Sequence, residues 1–89
     1  MEKILIVEDN IEIHNLIKNI LEREKYIVYN AYSGTEALMI LEKERIDLIL
    51  LDLILPGKSG EEIIDIIKDV PIIVISAKIS VQDKIKVLL

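Results

Sequence analysis

DLILLD, residues 47–52, decides how this chain folds. Four consecutive Leu and Ile residues, with no polar alternation and an Asp at each end, read as a strand covered on both faces. The run is too short for a helix, and strands of this kind belong to parallel sheets flanked by helices. KILIV at 3–7 and PIIVI at 71–75 have the same character, so they too read as strands buried on both faces. YIVYNA at 26–31 is aromatic, β-branched and less uniformly apolar, which suits a flanking strand.

Between these runs the period changes. Ile13, Leu16, Ile17, Ile20 and Leu21 fall at i, i+3, i+4, i+7 and i+8, one face of a helix. Shorter versions follow at Ala37, Leu38 and Leu41, at Ile63, Ile64 and Ile67, and at Val81, Ile85 and Leu88. Ser33 with Glu36 and Ser59 with Glu62 have capping-box spacing; Asp9 with Glu12 and Ser80 with Asp83 are looser versions. The order is β-α-β-α-β-α-β-α, which calls for right-handed crossovers in an α/β fold around a parallel sheet. The last helix needs a sheet to cover and nothing follows it, which leaves 71–75 as an apolar edge open to pairing with other chains. The expectation is one domain over residues 1–89, incomplete at its C-terminus, with a fifth strand and helix missing.

Composition narrows the function. Hydrophobic residues make up 52% of the 89, enough for a packed core and against disorder. A net charge of −5 disfavours nucleic acid as a partner, because phosphate binding needs a basic face. The absence of Cys removes disulfides and thiolate metal sites. No apolar run approaches the ~20 residues of a membrane span, and MEKILIVED meets carboxylates too early for a signal peptide. A cytoplasmic domain that binds no membrane is expected.

Three of the acids carry chemistry. Glu8 and Asp9 follow the first strand directly, and Asp52 closes the third. Open parallel sheets bind ligands at the carboxyl ends of their strands, and an order of 2-1-3-4 would bring these three together. Oxygen-only donors favour Mg²⁺, with Mn²⁺ as the alternative. Any one of these acids could be only a helix cap, Asp9 above all. Asp52 is flanked by Leu51 and Leu53, where an acid without a partner is costly; beside a cation it is a candidate nucleophile toward phosphorus.

Glu8-Asp9-Asn10 after Val7, the stretch LILLDLILPGKSG at 48–60 and PIIVISAK at 71–78 together resemble the receiver domain of bacterial two-component response regulators. The shared features are the acidic pair, Asp52 with Pro56 and Gly60 after it, Ser76-Ala77 ending the fourth strand, and Ser33-Gly34 before Glu36-Ala37-Leu38. The resemblance implies a flavodoxin-like doubly wound sheet of order 2-1-3-4. It implies that Asp52 is the phosphoacceptor for a sensor histidine kinase, with Mg²⁺ held by Glu8, Asp9, Asp52 and the backbone carbonyl of Ile54. Ser76 would hydrogen-bond the phosphoryl group and act as a switch, Ala77 would leave room beside it, and the 56–60 loop would shape the crevice. The protein would not be an enzyme of the usual kind but a signalling switch controlling a downstream output, transcription included. The family's strand-five Lys and aromatic switch residue have no counterpart in these residues, and 60–71 is short enough for the third helix to lose about a turn. Ile54 offers no polar side chain to orient an attacking water, which implies a long-lived aspartyl phosphate.

Two other readings stand beside this one. A Mg²⁺-dependent phosphohydrolase would want a second acid at position 54, which is Ile, and a cap domain. A degenerate receiver would serve only as an interaction module, and intact Glu8, Asp9, Asp52 and Ser76 speak against it. Homodimerisation through the fourth-strand edge is a further expectation. His14, the only imidazole, falls off the apolar helix face and reads as a surface residue beside Lys18, away from the acids. Tyr26, Tyr29 and Tyr32 read as edge packing, and Asn10 and Asn30 as turn or cap residues.

Overall fold

The computed structural model describes residues 2–52, 60–67 and 69–75. Its elements are β1 (Lys3–Val7), α1 (Ile11–Arg23), β2 (Ile27–Ala31), α2 (Gly34–Lys43), β3 (Leu48–Asp52), α3 (Gly60–Ile66) and β4 (Ile72–Ile75). The strands form one parallel sheet ordered β2-β1-β3-β4, the expected 2-1-3-4. The fourth helix and the caps at Ser59 and Ser80 lie outside the described residues.

The two-sided apolar character of the central strands has a direct cause. Leu5, Val7, Ile49 and Leu51 pack on one face with Ala37 of α2 and Ile63 of α3. Ile4, Ile6 and Leu50 pack on the other with Ile13 and Ile17 of α1. Successive side chains of a strand point to opposite faces, so only a sheet covered on both sides tolerates an unbroken run. The run at 71–75 departs from two-sided burial. Ile75 is buried, but Ile73 and Val74, on opposite faces of the sheet, are 48% and 40% exposed; among the described residues β4 pairs only with β3, which makes it the apolar edge strand expected.

Caps set the helix ends. Asn10, not Asp9, caps α1: its Oδ1 accepts the Ile13 N–H at 3.0 Å and its carbonyl accepts the His14 N–H at 2.9 Å. The looser Asp9 and Glu12 pairing is thus replaced by a cap one residue later, which leaves the Asp9 side chain outside the helix. At α2, Ser33 Oγ accepts the Glu36 N–H at 3.2 Å as expected. Glu36 Oε1 reaches one residue further back than a standard capping box, accepting the Tyr32 N–H at 2.8 Å.

The turn from α1 to β2 is a Schellman motif. Tyr26 N–H donates to Leu21 O at 3.1 Å and Lys25 N–H to Glu22 O at 3.0 Å. This puts Lys25 at φ 73°, a left-handed position usually given to Gly. Tyr26 is spent on closing that turn, so β2 begins at Ile27, one residue later than the sequence pattern suggests. Asp47 likewise precedes β3, its Oδ2 accepting the Lys3 N–H at 2.8 Å.

Candidate metal centre

Register places the acids. β1 and β3 pair with Val7 opposite Leu51, so the next residues, Glu8 and Asp52, leave the sheet side by side. Adjacent strands lie about 4.8 Å apart, which sets the scale of the encounter. Glu8, Asp9 and Asp52 each offer a carboxylate oxygen, and these three atoms lie within 4.8 Å of one another. Glu8 and Asp52 are 1% and 3% exposed, whereas Asp9 faces solvent. Two unit negative charges at that separation repel by roughly 3 kcal/mol at an effective dielectric of 20.

Backbone contacts hold the acidic segment in place. Glu8 N–H donates to the carbonyl of Ala31, the last residue of β2, at 3.1 Å. The Glu8 carboxylate accepts the Asn10 N–H at 3.2 Å. The site is therefore built from the end of β1, the end of β3 and the start of α1. A set of three carboxylates with no sulfur donor suits a hard divalent cation such as Mg²⁺, which takes oxygen ligands and retains waters.

His14 corrects the sequence reading twice: it is fully buried, and it is close to the acids. Its Nδ1 lies 2.9 Å from the Glu8 carbonyl oxygen, its Nε2 lies 2.7 Å from Asn30 Oδ1, and its ring stacks on Tyr32 with centroids 4.2 Å apart. Because both ring nitrogens have partners, the imidazole stays outside the carboxylate set. Periodicity along α1 misplaced it because the first turn of the helix meets the end of β2 as well as the face of the sheet. The available signal was its spacing, four residues after the Asn10 cap and so at the same end of the sheet as the acids.

Asn30 is correspondingly a β2 residue facing His14, not a turn or cap, while Asn10 is the expected cap. The three tyrosines separate. Tyr29 packs with the core on the α2 side and Tyr26 with the core on the α1 side. Tyr32 covers His14. Ile54, Ser76, Ala77 and the loop starting at Pro56 lie outside the described residues. No described helix is long and apolar enough to cross a membrane.

A four-stranded parallel sheet of order 2-1-3-4 with three clustered carboxylates at its carboxyl edge defines a doubly wound α/β domain with a candidate cation site. The family model for the response regulator receiver domain matches residues 4–89, and the chain belongs to that family. It is 44% identical over 87 residues to the regulatory protein VanR of Enterococcus faecium, covering 94% of this chain and 38% of VanR. It thus spans well under half of that curated relative. The receiver domain of Francisella response regulator 1452 superposes with a TM-score of 0.84 at 28% identity, over 99% of this chain and 76% of that one. Thermotoga maritima TrrA, solved in complex with Mg(2+)-BeF, superposes with a TM-score of 0.81 at 38% identity, over 86% of this chain and 70% of that one.

Proposed function

We propose that this domain is a phosphorylation-controlled switch in which Asp52 accepts a phosphoryl group from the phosphohistidine of a sensor kinase. The observation that carries the reading is the convergence of Glu8, Asp9 and Asp52 on one point at the strand ends. Glu8, Asp9, Asp52 and the carbonyl of Ile54 would hold Mg²⁺. A bound Mg²⁺ supplies positive charge against the oxygens of the transferring group. An Asp52 carboxylate oxygen attacks phosphorus while the phosphorus–nitrogen bond breaks and its electron pair stays on the donor imidazole. Glu8 and Asp9 would share the cation with Asp52 and so keep it beside the attacking carboxylate.

Ser76 is assigned the hydrogen bond to the new phosphoryl group and Ala77 the open space beside it. The added charge and acceptor oxygens then favour a second packing of the region after β4, and a downstream output reads that change. Residues 1–89 belong to one phosphoacceptor domain in the cytoplasm, and the β4 edge, with Ile73 and Val74 exposed, offers a surface for homodimerisation. The TrrA complex supports the metal assignment by similarity.

The test is incubation with acetyl phosphate and Mg²⁺ followed by intact mass spectrometry. One added phosphate is expected on the wild type and none on Asp52→Asn. Equal labelling of both, or of neither, overturns the reading. Rapid turnover of acetyl phosphate without accumulated label would instead point to a phosphohydrolase.

A further inference from the structure

We infer that His14 is a positioning residue for the acidic pair, acting through the carbonyl of Glu8; this rests on the proposed Mg²⁺ site. A carbonyl oxygen only accepts, so the 2.9 Å contact makes Nδ1 the donor. The Glu8 carbonyl belongs to the peptide plane that joins Glu8 to Asp9. Pinning it sets ψ of Glu8 and φ of Asp9 together, and so the directions in which both carboxylates leave the backbone.

The neighbouring groups are arranged to hold that bond. The Glu8 N–H is fixed by Ala31 O at 3.1 Å, and Asn10 is fixed by its cap on Ile13 and by the Glu8 carboxylate. The Glu8–Asp9 plane between them is held by His14. With Nδ1 donating, the neutral ring's Nε2 accepts, so the 2.7 Å contact at its far end is a hydrogen bond when the Asn30 amide is turned to present its NH₂, and Tyr32 stacks on its face. The ring is fully buried, so its hydrogen bond to Glu8 has no competition from water. Asp9 is the exposed member of the cluster and depends most on this plane for its orientation. Outer partners of this kind typically change metal affinity by about 10- to 100-fold when removed.

The chemistry of amide side chains gives a test specific to one ring nitrogen. In the His14→Asn variant the side-chain amide can occupy the place of Nδ1 and keep the donation to Glu8, whereas the longer amide of His14→Gln reaches the place of Nε2 and loses it. Mg²⁺ affinity is measured by calorimetry on wild type, His14→Asn, His14→Gln and His14→Leu, with a circular-dichroism melt for each. We expect His14→Asn to stay within about threefold of wild type and His14→Gln and His14→Leu to weaken Mg²⁺ about tenfold or more. If the two amide variants weaken equally, or neither does, the positioning role is overturned and the histidine is only packing. Should His14→Leu fail to fold, the amide pair still decides. A wild type that binds no Mg²⁺ overturns the metal site itself, an outcome separate from the failure of the His14 inference.

Discussion

Asp52 is the last residue of β3, 3% exposed, with two more carboxylate oxygens within 4.8 Å of its own cluster point. Gathering three acids in one place costs the fold something that a cation can offset. Asp52→Asn removes one of the three carboxylates without changing shape, and it should abolish the Mg²⁺-dependent rise in Tm expected of wild type, since that rise follows ligand occupancy. Thermal melts with and without Mg²⁺ check this. A wild-type Tm indifferent to Mg²⁺ would contradict the assignment. At this scale the sequence pointed to Glu8, Asp9 and Asp52 because acids directly after buried apolar runs are conspicuous. His14 was not legible, because its partners Asn30 and Tyr32 lie sixteen and eighteen positions away and meet it only through the β1–β2 pairing.

Among the elements, the α1 to β2 connection stores a correctable cost. Lys25 takes the left-handed position of a Schellman motif, where a Cβ crowds the following carbonyl. Lys25→Gly should therefore stabilise the domain by about 1 kcal/mol, read as a shift in the urea midpoint at unchanged slope. Element types and order followed from local signals: the Ser33 cap and the periodicity of α1 and α2 are both present as expected. Boundaries were less legible. Asp9, Asn10, Tyr26 and Asp47 can each act as cap, turn or strand residue, and the choice depends on hydrogen bonds made by neighbours. Asn10 took the α1 cap, which left Asp9 to the acidic cluster.

Across the whole molecule, stability rests on two apolar layers that share one sheet. Leu51 is fully buried between β3 and the α2–α3 side, so Leu51→Ala should cost about 3 kcal/mol in urea unfolding. Ile73, 48% exposed on β4, should cost under about 1 kcal/mol when truncated to Ala. Comparable losses at the two positions would mean that β4 is covered in solution.

By itself the sequence determined the alternation of strands and helices, the parallel sheet and the three acids. Those are properties of periodicity and of neighbours a few residues apart, which the chain carries wherever it folds. Only the tertiary structure decided that His14 and Asn30 support the acidic pair and that Ile73 and Val74 are exposed. Both depend on which strand lies beside which and in what register. Register is a contest among long-range pairings, settled by the burial of β1 and β3 between two helical layers.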